Sequence, residues 1–369
     1  MLLGMRHDEP VMAPRKKTRS LKGTLPALPI HPPFAPMEAM LVDKVPVGAG
    51  WQYEPKWDGF RCLLFRDGDH IELQSKAERS LSRYFPEISA AARALKPECF
   101  VLDGELIVLL GQNASFDDLL QRIHPAASRI ALLARTTPAI FIAFDLLVDG
   151  QGQLLVERSL ADRRRALEAF AARYFKGADL FRLSPATNDL KEARRWLTRT
   201  GGALDGIIAK RNDLPYRGGQ RDGMQKIKNQ RTVDCVVGGF RYNEGKPVVG
   251  SLLLGLYDEE GKLNHVGFTS SLAAREKPAL TTKLRRLIEP PGFTGAAPGG
   301  PSRWSTERSA AWEPLKPELV VEVSYDHFSG GRFRHGTKLL RWRPDKSPGQ
   351  CTMDQVSRKG AKLGSILRS

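Results

Sequence analysis

The run FVLDGELIVLL at residues 100–110 sets the first limit on this 369-residue chain, because so dense an apolar stretch, interrupted only by Asp103, Gly104 and Glu105, is satisfied as a long strand in a buried sheet. A second run, AIFIAFDLLV (139–148), offers it a neighbour. Side chains alternate along a strand, so Asp103 and Glu105 share one face while Leu102 and Leu106 turn into the core. Such a strand is apolar behind and acidic in front. Upstream, RCLLFRDGDHIELQS places two apolar runs around Asp67-Gly68-Asp69 and predicts a hairpin. Downstream, SLADRRRALEAFAARYF (159–175) repeats Leu160, Leu167, Phe170, Ala171 and Tyr174 at helical spacing, with Ser159 as N-cap and its arginines on a solvated face. A second helix, NDLKEARRWLTRTGG, starts at Asn188 or Asp189 and stops at Gly201-Gly202, and strands follow at DGIIAKR (205–211) and MQKIK (224–228).

After Arg231 the texture changes to short alternating strands with glycine-containing turns: TVDCVVGGFRY, GSLLLGLYDEEGKLNHVGFTS and, beyond one helical stretch, ELVVEVSYDHF. That pattern suits a small barrel of the oligonucleotide-binding type. The expected organisation is therefore α+β in two domains, 38–230 and 231–350. A Pro-rich basic arm without apolar periodicity precedes them at 1–37 and is expected to be disordered. A basic tail follows at 351–369, and PPGFTGAAPGGPSRW reads as a loop.

Charge narrows the partner. The 57 Lys and Arg against 41 Asp and Glu give a net +16, which favours a polyanion, nucleic acid before membrane. The four cysteines, Cys62, Cys99, Cys235 and Cys351, have neither disulfide-framework nor zinc-ligand spacing. No run approaches the roughly 18 apolar residues of a membrane span, and no signal-peptide core is evident, so a soluble cytoplasmic protein is expected.

Candidate chemistry centres on YEPKWDGFRCLLF (53–65), where Lys56 stands at the lip of an apolar strand. An amine there becomes a nucleophile if neighbouring cations or desolvation lower its pKa. Lys226 and Lys228, two apart in MQKIK, project from one face with Ile227 packed behind, and suit a polyphosphate. Glu105 and Asp205 could serve a magnesium-bridged nucleotide phosphate, and Phe144 could stack on a purine. Taken singly, each has a plainer explanation: edge-strand charges, turn acids before glycine, a core phenylalanine.

Their joint order is more telling. EPKWDGFR, LDGEL, AFDLL, LDGIIAK, MQKIK and RWRPDK, spread over residues 54–346, resemble the collinear motifs of the covalent nucleotidyltransferases. Within that superfamily the chain looks like the bacterial ATP-dependent DNA ligases, particularly the short ligase C type and the ligase domain of the end-joining ligase D, through EPKWDGFR and GGRFRHGTKLLRWRPDK. The resemblance implies an adenylyltransferase (nucleotidyltransferase) domain of antiparallel sheets with flanking helices, followed by an OB-fold β-barrel domain. It implies that Lys56 attacks ATP to form lysyl-AMP, that Glu54 and Phe144 meet adenine, and that Arg61 and Glu105 meet the ribose. Glu105 and Asp205 would hold Mg2+ or Mn2+, Lys226 and Lys228 the α-phosphate, and Arg341, Arg343, Asp345 and Lys346 the outer phosphates after a domain swing.

Departures from the family pattern are specific. Lys76 stands where an arginine is usual, with Arg79 as the alternative; Asp205 replaces a glutamate; and no separate DNA-clamping domain is expected ahead of the first domain. The glycine-rich loop carrying Arg332, Arg334, His335 and Lys338 is the candidate DNA contact. The expected partners are nicked double-stranded DNA and a repair polymerase or end-binding protein, and the expected state is a monomer associated with the bacterial nucleoid. An RNA ligase or RNA-capping guanylyltransferase shares the lysine motif, and a non-catalytic binding module would have no need of the full residue set.

Overall fold

The structure is a computed structural model that describes residues 28–111, 113–199, 204–229, 231–299 and 311–356. Two sheets organise its first part. One runs in the order Met40–Leu41, Met224–Lys228, Gly206–Arg211, Trp51–Lys56; the other in the order His70–Ser75, Phe60–Asp67, Cys99–Leu110, Ala139–Val148, Phe181–Leu183. Pairing is antiparallel except at two short edges, Met40–Leu41 on Met224–Lys228 and Phe181–Leu183 on Ala139–Val148. The hairpin expected at Asp67-Gly68-Asp69 is present, with Gly68 at φ 59°.

The acidic strand shows how this arrangement leaves room for a site. Phe100, Leu102, Leu106 and Val108 pack into one core cluster beneath the helices Pro86–Ala94 and Leu160–Tyr174. On the opposite face, Val101 enters one apolar cluster and Ile107 another, with Asp103 and Glu105 between them. The two acids thus open a polar gap in a face that is otherwise core. Gly104 is obligatory here, since a Cβ would lie 2.5 Å from the Phe141 ring.

A barrel follows. Its strands Arg231–Asn243, Lys246–Tyr257 and Leu263–Thr269 form a meander, and the first of them also pairs with Val320–Tyr325, which pairs with Lys338–Trp342. A parallel bridge, Thr269 to Thr337, brings the third strand to the start of the fifth, and the helix Lys277–Arg285 lies between the third and fourth strands. This connectivity is that of the expected OB-fold. Its core includes Val236, Phe240, Leu253 and Val321, all fully buried.

Three expectations require correction. Residues 28–37, assigned to a disordered arm, are packed: Leu28 and Met37 are 3% and 5% exposed and join Leu63, Phe65 and Tyr216 in one cluster. Their partners lie far along the chain, so no local period announces them. The assigned tail also begins too early, because Cys351 and Val356 belong to the barrel core. Residues 1–27, the helix stop at Gly201-Gly202, part of the Pro/Gly loop and residues 357–369 lie outside the described residues.

The third correction concerns the helix Leu160–Tyr174. Ser159 caps it as expected, accepting from the Asp162 amide, but only part of its basic run is solvated. Arg163 is buried and donates to both carboxylate oxygens of Asp145 at 2.8 and 3.0 Å, while Arg164 donates to the Ser184 carbonyl at 2.8 Å. Arg165 alone of the three is exposed, paired with Asp162. Removing one partner of a buried pair strands a charge, so Arg163→Ala should cost about 3–5 kcal/mol in chemical denaturation. Arg165→Ala should change stability by less than about 0.5 kcal/mol, and equal effects would contradict the assigned burial.

Candidate active site

Where the two sheets diverge, a cleft of about 140 Å³ opens. Strand alternation supplies its floor: Glu54 and Lys56, Ile208 and Lys210, and Met224 and Lys226 line it, while Tyr53, Ile207, Ala209 and Ile227 pack behind. The second sheet contributes Arg61, Glu105 and Phe144; Lys76 and residues 36–39 close the rim. Lys76 therefore occupies the position the hairpin offers to the site, and Arg79 is not part of the lining.

Lys56 ends its strand opposite Gly206, where a φ of 149° and the 1.9 Å at which an added Cβ would lie from the Ile227 carbonyl oxygen exclude any side chain. That tight crossing holds Asp205 beside the lysine: the Asp205 amide donates to the Lys56 carbonyl at 3.1 Å, and Lys56 Nζ donates to Asp205 Oδ2 at 2.8 Å. The electrostatics differ from the expected uncharged amine. Burial pushes the Lys56 pKa down, but Asp205, then Glu105 and Asp58, more than offset this and the net shift is upward. Lys226 is the depressed lysine, through burial and then Lys76, Lys56 and Lys228.

The acids respond in opposite directions. Burial alone would raise Asp205, yet its hydrogen bond with His327 and the Lys56 ammonium hold it well below the usual carboxylate range. Glu105 goes the other way: burial pushes it up to about 7, with Lys56 and Arg61 opposing.

Around Phe144 the cleft is cationic. Arg61 lies 4.5 Å and Lys210 Nζ 4.6 Å from the ring centroid. Each has a carboxylate: Arg61 grips Asp103 through two 2.5 Å bonds, and Lys210 pairs with buried Glu54 at 2.8 Å. Gln52 donates to the same Glu54 at 2.8 Å.

The barrel reaches into this site through the loop after Val320–Tyr325. Asp326 accepts from Lys228 Nζ at 2.7 Å, and His327 Nδ1 lies 3.4 Å from Asp58 and 3.7 Å from Asp205. Arg334 donates to Asp58 at 2.8 Å and to His327 Nε2 at 2.8 Å, with its guanidinium 3.8 Å from the Phe116 centroid. Because Nε2 accepts there, the neutral His327 ring carries its hydrogen on Nδ1, facing the two aspartates.

Of the proposed DNA-contacting set, Arg334 is engaged and half-buried, His335 is exposed but rests on Asp326 at 3.1 Å, and Arg332 and Lys338 are exposed. Arg332 Nη2 lies 3.4 Å from His265 Nδ1. Nor does the structure bring Arg341, Arg343, Asp345 and Lys346 to the cleft. Arg341 pairs with Glu322 at 2.6 Å, Arg343 with Asp234 at 2.8 Å and Asp345 at 2.9 Å, and Lys346 with Asp234 at 2.8 Å.

The family models agree with this two-part design: "ATP dependent DNA ligase domain" matches residues 36–228 and "ATP dependent DNA ligase C terminal region" matches 245–346. The chain belongs to the ATP-dependent DNA ligases. It is similar to DNA ligase C2 of Mycolicibacterium smegmatis, 45% identical over 89% of this chain and 96% of that protein. DNA ligase C of Mycobacterium tuberculosis is 44% identical over 90% and 96%. The solved structure of Pmar-Lig_PreS3, 17% identical with a TM-score of 0.54 over 80% of this chain and 64% of that one, shares the fold.

Sequence reasoning on this ligase missed several members of the site. Asp58, in the quoted KWDG, and Lys210, in IIAK, were within reach of the alternation rule. His327 and Asp326 carried no such signal, because only the docked barrel brings them to the cleft. Asp58, Asp205 and His327 have ligand atoms within 4.8 Å of one another. Glu105 stands outside that group.

Glu105 generates a pH prediction. Folded, it keeps its proton up to about 7, whereas unfolded it releases it near 4.5. Its contribution to stability is therefore full below the unfolded value and lost as pH rises through 7. In chelator-treated buffer, Glu105→Gln should melt above the parent at pH 8, with the gap closing by pH 5. A gap that widens on acidification would show that the sign is wrong.

Proposed function

We propose that this DNA ligase seals 5′-phosphate/3′-hydroxyl nicks in DNA repair through a lysyl-AMP intermediate on Lys56, with the part from residue 28 to 229 as its adenylation domain and the barrel, 231–356, as its OB-fold domain. The observation that carries the reading is the Lys56–Asp205 contact at the end of a cleft lined by Lys76, Lys226, Glu105 and Phe144. In the first step Nζ forms a bond to the α-phosphorus of ATP as the bond to pyrophosphate breaks. AMP then passes to a nick 5′-phosphate, and the adjoining 3′-hydroxyl displaces it. Nζ attacks only after losing the proton that Asp205 holds on it, so the first step accelerates with rising pH.

On this reading Phe144 and Glu54 meet the base, Arg61 and Glu105 the sugar, and Lys226 and Lys228 the α-phosphate; Lys226 lines the cleft beside Lys76, while Lys228 rests on Asp326. The carboxylates of Glu105 and Asp205, on facing sheets, fit the oxygen preference of Mg2+ or Mn2+, which would neutralise phosphate charge when bound. Arg341, Arg343, Asp345 and Lys346 reach the outer phosphates only if the barrel leaves its present contacts, consistent with a domain swing. Among the described residues no helix is long and apolar enough to cross a membrane. The reading favours a cytoplasmic, nucleoid-associated monomer. A repair polymerase or end-binding protein is the partner the reading favours.

Incubation with α-labelled ATP and Mg2+, followed by denaturing electrophoresis, should leave label on the protein. Lys56→Ala should abolish it; label surviving that change would move the nucleophile elsewhere. For DNA binding, the exposed Arg332 and Lys338 should set the salt response. Converting both to alanine should reduce the slope of log affinity against log salt by about two. Arg334→Ala should leave the slope near that of the parent and slow sealing of a pre-adenylylated nick, since Arg334 is committed to Asp58. The reverse pattern would return Arg334 to the DNA footprint.

A further inference from the structure

The strap formed by residues 28–39 has no part in the chemistry above, yet its last residues, Pro36 to Ala39, form one wall of the cleft. Its anchorage is specific. The fully buried Gln74 amide donates to the Phe34 carbonyl at 2.7 Å and accepts from the Phe34 amide at 2.9 Å, and the Phe34 ring stacks on Tyr216 with centroids 6.2 Å apart. Further along, the Met37 amide donates to Tyr216 Oη at 3.0 Å, and Arg61 Nη2 donates to the Met37 carbonyl at 3.3 Å. Tyr216 Oη itself donates to Asp103 Oδ2 at 2.6 Å, the carboxylate that grips Arg61.

We propose that Tyr216 is a positioning residue for the nucleotide: it ties the strap to the Asp103–Arg61 pair, so that the Met37 wall and the Arg61 guanidinium in front of Phe144 are set together. The proposal rests on the reading of this cleft as the ATP site. One hydroxyl serves both sides, accepting from the strap and donating to the acid. It can do so only as the neutral phenol, and burial together with Asp103 pushes its ionisation well above the ordinary range. A phenylalanine at this position offers neither bond. The Met37 amide is then left without its acceptor, and Asp103 holds Arg61 with one donor fewer, in a place from which water is excluded. Lys56, on the facing sheet, has its hydrogen bond with Asp205 and, among the described residues, none with this network. Loss of the hydroxyl therefore weakens nucleotide binding while leaving the attacking amine in place.

The test measures single-turnover lysyl-AMP formation by the full chain across a range of ATP concentrations. Tyr216→Phe should raise the half-saturating ATP concentration about tenfold, with the saturating rate within about threefold of the parent. Gln74→Leu, which releases the strap at its other anchor and guards against a misfolded Tyr216 variant, should do the same. The double variant should be no worse than the more affected single one, because both act through one strap. Limited proteolysis ahead of Met37 should be faster in either variant and slowed again by ATP. An unchanged half-saturation, a loss confined to the saturating rate, or full additivity would overturn the assignment. A parent enzyme that takes no label would sink the ATP reading instead, which keeps the two failures apart.

Discussion

The contact between Lys56 Nζ and Asp205 Oδ2, at 2.8 Å, is the constraint on which the rest of the site depends. Burial by itself would favour a neutral amine at this position. The carboxylate reverses that preference, so the amine rests as an ammonium ion rather than as a ready base. The backbone enforces the pairing: Gly206 permits a strand crossing too close for any side chain, and the crossing fixes Asp205 at the level of Lys56. A buried cation without such a partner would be strongly destabilising. Stability of the empty enzyme and reactivity of the loaded one therefore pull on the same atom pair in opposite directions.

Asp205 is also where the barrel touches the chemistry. His327 faces both Asp205 and Asp58, Arg334 holds Asp58, and Asp326 holds Lys228. The docked barrel thus reads the charge state of the adenylation domain directly. In the proposed reaction Lys56 loses its positive charge on becoming a phosphoramidate, and Asp205 loses the hydrogen-bond donor that Lys56 supplied. Its remaining hydrogen-bond donor then lies on the other domain. Chemistry at the lysine and orientation of the barrel are coupled through one carboxylate, without any intervening chain of contacts.

Much of this was legible in the sequence, and the boundary of what was legible is physical. Alternation in VLDGELIV and MQKIK placed Glu105 and Lys226 on the cleft face because a strand has no other way to present them, and the same rule applied to DGIIAK would have found Lys210. The barrel was recognisable from its short strands and glycine turns. Arg163 was misjudged because helical spacing says which residues share a face, but not whether a buried aspartate waits opposite. The strap was missed for a related reason: Leu28, Phe34 and Met37 show no period of their own and find their partners only across the folded sheet. Domain orientation was beyond local pattern altogether, since His327 and Arg334 acquire their roles from a contact between halves that the sequence specifies separately.

The ion pairs share one further property that bears on how such an enzyme can move. Lys56, Lys228 and Arg334 each rest on a carboxylate, and so do Arg341, Arg343 and Lys346 on the barrel. A chain carrying a net +16 would otherwise gather several uncompensated cations around its cleft. Under the proposed function the acids on Lys228, Arg341, Arg343 and Lys346 stand in for phosphate, whereas Arg334 keeps Asp58. When a polyphosphate or a DNA backbone arrives, the cations exchange one anion for another instead of creating ion pairs from nothing. Such an exchange conserves most of the desolvation already incurred, so the alternative arrangements differ by little in free energy. That near-balance is what allows one barrel to serve successive steps: a site whose cations had no resting partners would bind its first anion too tightly to release it.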